Sequence, residues 1–347
     1  STMNKKIFLI AGGAAALIAA TYAGLSVYAG NKAEKKLEDW AYDAQIENRL
    51  HWSKVSSSPF GGHVSIFDVE LDIGDSNAAI RAKEIIVSDL LDEDDRTRIR
   101  LQFRGVNAEQ EAFSDFRQFS AIAGRNIDRG FANAVGGFQP ALNSGLTFVP
   151  PFDVDLFVDV DDDAGVVETA INVALPELFD SQISYRLAGQ RGLNRQLRTL
   201  QRTLTSAENN YQILQSLEEL GQAIDRIEIE AIRFTMKDRG LVSRSIALQQ
   251  RYNTPLDPTR GDADKQRSEH YERQVEQQVK QCERGDLARD LEGVCELISD
   301  ILLGKEDGFE LSIEPKETVR LRDLSKLDDS RTSSRMLARM NLQIDSL

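Results

Sequence analysis

The sequence predicts an α+β protein, with a single N-terminal transmembrane helix followed by antiparallel, one-sided β-meanders with interspersed helices. An uncharged apolar run at residues 7–30 follows Lys5 and Lys6 and predicts the transmembrane helix. Segments in which apolar and polar residues alternate predict strands with one buried face and one wet face. Segments with apolar residues three and four positions apart separate these strands and predict helices.

The apolar run at residues 7–30 is long enough, at 1.5 Å per residue, to cross a hydrocarbon core of about 30 Å. A cleaved signal peptide is the alternative, with Val27-Tyr28-Ala29 as the processing site. The length of the run favours the uncleaved anchor. Small residues recur at every fourth position of this run and predict a ridge where two transmembrane helices pack closely, namely Gly12, Ala16, Ala20 and Gly24. An alanine-rich anchor also produces this spacing by chance.

The anchor predicts the location of the protein. The tail and anchor occupy residues 1–30, and a charged juxtamembrane helix is expected at 31–45. We expect the anchor to lie in the inner membrane of a Gram-negative bacterium and the bulk of the chain to lie in the periplasm. Lysines flank the anchor on both sides, but long domains translocate largely regardless of flanking charge.

The chain after residue 45 divides into two predicted regions. A β-rich region covers 46–180 and contains a helix and loop insertion at 108–150; helices and a second strand group cover 181–347. The predicted strands of the first region lie at 63–73, 79–87, 98–106, 153–160 and 166–175. In the second region we predict helices at 193–204, 210–224, 262–283 and 287–303, and strands at 227–236, 243–249, 309–313, 319–322 and 340–344. One-sided strands of this kind belong to antiparallel sheets.

Cys282 and Cys295 are the two cysteines of the chain. In an oxidising periplasm such a pair is interpreted as a disulfide. On one continuous helix the two residues would lie about 20 Å apart, so the bond requires a chain reversal between them. Two buried free thiols are the alternative.

A basic segment stands out in an otherwise acidic chain. Arginines spaced four, three and four residues apart form a stripe beside a leucine stripe with the same spacing, at Arg191, Arg195, Arg198 and Arg202. On a helix, this stripe would bind anionic headgroups or an acidic partner. The alternative is a helix that packs its leucines on the sheet and leaves its arginines in water.

Composition and motifs restrict the function. The net charge of −14 makes nucleic acid an unlikely class of partner, since phosphate binding needs a basic surface. The sequence contains no recognisable nucleotide, metal or nucleophile motif, so no catalytic residue, cofactor or metal ligand is assigned. The acidic run at 159–163 does not match a calcium loop, because Ala164 and Ala170 occupy the positions that require Gly and Glu.

The order of features resembles the YdgA-like proteins, a proteobacterial envelope family of unknown function. The resemblance rests on Lys5 and Lys6, the anchor and the segment SSSPFGGHVSIFDVELDI at 56–73, and more loosely on residues 227–246 and 309–315. The meander is also similar to the repeated strands of AsmA-type bridge-like proteins. The resemblance implies an inner-membrane-anchored periplasmic protein that handles lipids or assists envelope assembly.

These observations favour a non-catalytic envelope protein that binds a partner protein or a hydrophobic ligand. We expect it to contact the bilayer and to form a homo-oligomer or a subunit of a larger membrane complex. An envelope hydrolase with scattered site residues is the alternative. If helices pack over the apolar sheet face, the face is part of the core. If a groove remains uncovered, it can bind a ligand.

Overall fold

A computed structural model describes most of the chain downstream of the apolar run. The described residues are 33–43, 47–58, 62–73, 78–93, 95–108, 145–146, 150–189, 191, 222, 226–285, 288, 291–320, 322–323, 335–336 and 338–347. The predicted anchor at 7–30 lies outside them. Among the described helices, none is both long and apolar enough to cross a membrane.

The predicted fold class is wrong, because the described chain is mostly antiparallel sheet. Its strands are β1 (Leu50–His51), β2 (Lys54–Ser57), β3 (His63–Ile73), β4 (Ala78–Asp92), β5 (Arg96–Ala108), β6 (Phe152–Asp161), β7 (Val166–Leu175), β8 (Phe179–Ala188), β9 (Glu228–Asp238), β10 (Gly308–Ile313) and β11 (Leu342–Ser346). All belong to one sheet. The two strand groups expected from the sequence are therefore parts of a single continuous structure.

Strand β8 joins the two groups and was not predicted from the sequence. It pairs with β7 on one side and β9 on the other, both antiparallel. From β3 to β11 every strand pairs with its successor in the chain, while β1 and β2 both lie along β3. The described helical segment at 241–302 is thus an insertion between two consecutive strands, β9 and β10, of one sheet.

The described helices are α1 (Ala33–Asp43), α2 (Leu241–Asn253), α3 (Ala263–Cys282) and α4 (Val294–Leu302). A short 3₁₀ turn, Pro258–Arg260, precedes α3. The strand predicted at 243–249 is wrong, because this segment belongs to α2. The helix starts where Gly240 turns the chain at φ 139°, and the Asp238 carboxylate accepts a hydrogen bond from the Val242 amide. Any Cβ at Gly240 would lie 2.6 Å from the Glu177 carbonyl oxygen, so the turn requires glycine.

The buried apolar residues form separate clusters at the two ends of the sheet. At the first end, Leu37 and Ala41 of α1 pack with residues of β3 to β6. At the other end, α2, α3 and α4 form a helical cluster that includes Tyr271 and contacts Ile344 of β11. A third cluster centres on Val319, which is fully buried, and packs on β9 and β10.

Candidate ligand-binding face of the sheet

The strand register places nine apolar side chains in one uninterrupted row. The row takes one residue from each strand between β3 and β11, in the order Val64, Val87, Leu101, Leu156, Ile171, Ile183, Phe234, Leu311 and Ile344. With about 4.8 Å between neighbouring strands, the row is about 38 Å long. The sheet therefore carries a continuous apolar face rather than isolated hydrophobic spots.

The covering of this row differs along its length. Val87 and Leu101, near α1, are 2% and 0% exposed. From Ile171 to Ile344 every member of the row is only partly buried. Neighbouring rows add Phe309, whose ring centroid lies 5.8 Å from that of Phe234. Of the five row members from Ile171 to Ile344, Ile171, Leu311 and Ile344 pack against buried clusters, whereas Ile183 and Phe234 are partly buried outside those clusters.

The opposite face of the same strands is covered by ion pairs. Arginines of this face pair with carboxylates of adjacent strands, in the pairs Arg96–Asp159, Arg100–Asp155, Arg104–Asp153, Arg186–Glu168, Arg186–Glu230 and Arg233–Glu310. Arg96 binds Asp159 through two hydrogen bonds, and these raise the pKa of the guanidinium. A hydrogen bond to Glu230 and the charge of Glu168 likewise raise the pKa of Arg186.

A shallow pocket of about 300 Å³ lies on this polar face. Its lining includes Phe157, Ala170, Ser184, Arg186 and Arg233. Both arginines are already paired with glutamates, so an ionic ligand would have to displace existing ion pairs. An apolar ligand meets no such obstacle on the other face, which is the better candidate site.

The structure joins Cys282 and Cys295 in a disulfide with a Cα–Cα distance of 5.9 Å. The required chain reversal follows α3, where the Gly285 amide donates to the Cys282 carbonyl. The bond ties the end of α3 to the beginning of α4. In the same buried cluster, the Tyr271 hydroxyl donates to the Leu302 carbonyl at 2.8 Å, and burial raises the pKa of Tyr271 to about 12.

The other predicted site residues lie, apart from Arg191, outside the described part of the chain. Gly12, Ala16, Ala20 and Gly24 lie outside the described residues, as do Arg195, Arg198 and Arg202. Arg191 is described and is exposed just after β8. The structure therefore offers no test of the small-residue ridge or of the basic stripe.

Catalytic chemistry gains no support within the described part of the chain. No group of three or more His, Cys, Asp or Glu side chains there could hold a metal ion. His51 lies 3.7 Å from Asp72, and both side chains are largely exposed to solvent. The acidic turn after β6 is a hairpin connection in which Asp161 accepts from the Ala164 amide.

The sequence predicted an apolar sheet face, but it did not predict the row that crosses nine strands or the strand β8 at its centre. The signal in β8 was present, because Ile183, Tyr185 and Leu187 alternate with polar residues. The pairing that aligns these residues with those of β7 and β9 connects different strands and is not encoded in the periodicity of any one of them.

No protein-family model matches this chain, and no curated protein matches it. The resemblance to the YdgA-like and AsmA-type proteins therefore stays a prediction.

Proposed function

We propose that this protein is a non-catalytic module of the bacterial cell envelope that binds lipid acyl chains on the apolar face of strands β7 to β11. The observation that carries the proposal is the nine-residue apolar row, whose second half is only partly buried. The opposite face of the same strands is already satisfied by ion pairs. The apolar face therefore retains surface that a ligand could bury, whereas the charged groups of the other face are already paired.

The dimensions of the face support an acyl ligand. One leaflet of a bilayer with a hydrocarbon core of about 30 Å corresponds to chains of about 15 Å, which fit well within the row of about 38 Å. Each buried methylene contributes about 0.8 kcal/mol of transfer free energy, so a single chain gains substantial affinity without any specific polar contact. Large apolar surfaces without a partner are rare on soluble proteins.

The proposed location is the periplasmic side of the inner membrane. The uncharged run at 7–30 supports attachment to that membrane, and the Cys282–Cys295 disulfide supports an oxidising compartment. Attachment beside a bilayer would keep the apolar face within reach of lipid. The location and the ligand are therefore parts of one proposal.

A photo-crosslinking amino acid tests the proposal by comparing two adjacent positions. Ile183 and Ser184 are both partly buried, but their side chains lie on the apolar and polar faces respectively. We expect a benzoylphenylalanine at 183 to form lipid adducts in cells, detected by mass spectrometry, and one at 184 to form none. Equal labelling at both positions, or no lipid adduct at 183, would contradict lipid binding by this face.

A protein partner is the second candidate, favoured by exposed apolar side chains at the end of α2 and just after it. Tyr252, in the last turn of α2, is 72% exposed, and Leu256, which follows the helix, is 44% exposed. Exposed apolar side chains on this insertion between β9 and β10 support a separate contact, either with a second copy or with a subunit of a membrane complex. Replacing both residues by serine should then lower the particle mass measured after mild extraction. An unchanged mass would argue against this contact.

A further inference from the structure

The two edges of the sheet end differently. At the first edge, the short strands β1 and β2 both lie along β3 and divide its outer side between them. At the opposite edge, β11 pairs with β10 alone within the described part of the chain. Very short edge strands limit pairing with other chains, whereas a longer uncovered edge presents a row of free backbone groups. The outer edge of β11 is therefore the place where the sheet can extend.

The hydrogen bonds of β11 identify the backbone groups that face outward. The Leu347 amide donates to the Gly308 carbonyl of β10. In an antiparallel pair, every second residue of a strand bonds the same neighbouring strand. The alternate residues of β11 therefore turn their amides and carbonyls away from β10, namely Leu342, Ile344 and Ser346. Among the described residues, no backbone hydrogen bond from another segment reaches these outward groups.

The outward groups of β11 are complementary to those of a second copy of the same strand. When two copies lie antiparallel with Ile344 opposite Ile344, Leu342 lies opposite Ser346, and every outward amide meets an outward carbonyl. On the polar face, this register sets Gln343 opposite Asp345, an amide against a carboxylate. A register centred on Asp345 would instead oppose two carboxylates, and directly opposed like charges are destabilising. Charge therefore favours the register centred on Ile344.

The same register continues the apolar face into the second copy. Ile344 is the last member of the nine-residue row and is partly buried. The two-fold axis of such a pair is perpendicular to the sheet, so the apolar faces of both copies lie on the same side. We propose that the outer edge of β11 is a dimerisation edge, at which two copies of this chain pair antiparallel around Ile344. This contact does not depend on the proposed acyl binding.

Single cysteines in the full chain test this pairing, because both native cysteines are joined in a disulfide. Directly paired residues lie about 5.5 Å apart at their Cα atoms, within the range of a disulfide. Ile344→Cys, extracted in mild detergent, should therefore form a disulfide-linked dimer on mild oxidation. Ser346→Cys is the matched control, since its side chain is exposed but the two copies of it would lie about 13 Å apart along the strands. Equal cross-linking of both variants, or none of Ile344→Cys, would overturn the proposal.

A charge exchange tests the same register without oxidation. Gln343→Asp sets a carboxylate opposite Asp345 of the second copy and should raise the dimer Kd about tenfold at low salt, measured by analytical ultracentrifugation. Adding Asp345→Gln to this variant exchanges the two positions, keeps the wild-type net charge and opposes amide to carboxylate again. The double variant should therefore recover the wild-type Kd. A double variant as weak as Gln343→Asp, or a single variant equal to wild type, would refute the pairing.

Discussion

Ile183 and Ser184 are neighbours in β8, yet they belong to surfaces of opposite chemistry. Ile183 continues a row of apolar side chains that crosses nine strands, whereas Ser184 lies between the ion-paired arginines of the other face. The ion-paired face satisfies its own charges across neighbouring strands. The apolar face is covered at the α1 end and partly open from β7 onward. Strand β8 thus contributes Ser184 to a face whose charges are already paired and Ile183 to a face whose apolar side chains are only partly buried.

The largest expected difference between the faces concerns Leu101 and Gln102 of β5. Leu101 is fully buried, so Leu101→Ala should lower the free energy of unfolding by about 2–5 kcal/mol through lost burial and a cavity. Gln102 donates one hydrogen bond to Asp155 on the other face, so Gln102→Ala should cost about 1 kcal/mol. Urea unfolding of both variants measures this difference. Similar losses in the free energy of unfolding would mean that the two faces contribute equally to stability.

A charge placed on the open part of the apolar face should act mainly on binding. Ile183 is only partly buried, so we expect Ile183→Asp to lower the free energy of unfolding by about 1–3 kcal/mol. We also expect it to abolish binding of a fluorescent acyl probe, the methyl ester of 1-pyrenedecanoic acid. Ser184→Asp adds the same charge beside Arg233 and should leave both properties nearly unchanged. Probe fluorescence and thermal unfolding, measured on both variants, separate the two effects. Retained probe binding by Ile183→Asp would place the ligand elsewhere.

Removal of a polar-face cation should have a smaller effect that depends on salt. Arg186→Gln leaves Glu168 and Glu230 without their shared partner. All three side chains are close to half exposed, so the expected loss is below about 1 kcal/mol and should shrink further in 0.5 M salt. The same salt series on Leu101→Ala should show no such dependence. A large, salt-independent loss for Arg186→Gln would contradict the description of this face.

The smallest expected effect is the pH response of Glu70. Its hydrogen bond to Arg81 holds the pKa of Glu70 below the ordinary value of 4.5. The pair therefore stabilises the fold above about pH 4.5, and this contribution is lost as the pH falls through the lower folded-state pKa. Glu70→Gln should show a shallower loss of stability in this acid range than the wild-type protein. Parallel stability curves between pH 3 and 6 would refute the assignment.

Local patterns predicted the strands from β3 to β7 because each shows period-two alternation within its own segment. The hairpin of β6 and β7 is confirmed, with its turn at the acidic run. Strand β8 was missed although the same alternation is present in it, at Ile183, Tyr185 and Leu187. The α2 segment also alternates over a few residues, whereas its buried Val242 and Ser245 follow helical spacing.

The apolar face itself was predicted from alternation within single strands, but its alignment across the sheet was not, because alignment depends on register. A shift of one residue between any two strands would move a strand's apolar side chains to the other face. Bulges add to this, since the pairing shifts between Ser88 and Leu91 and between Arg186 and Leu187. No single strand contains the information that places its apolar residues beside those of its neighbours.

The consecutive pairing of the strands has a consequence for biogenesis. From β3 onward each strand pairs with the preceding segment of chain, and short connections such as 162–165 and 176–178 close early because short loops cost little entropy. A chain that emerges from its N-terminus can therefore assemble the sheet one hairpin at a time. The sheet is complete only when β11 arrives, so a chain stalled before that point exposes an unfinished strand edge that favours aggregation.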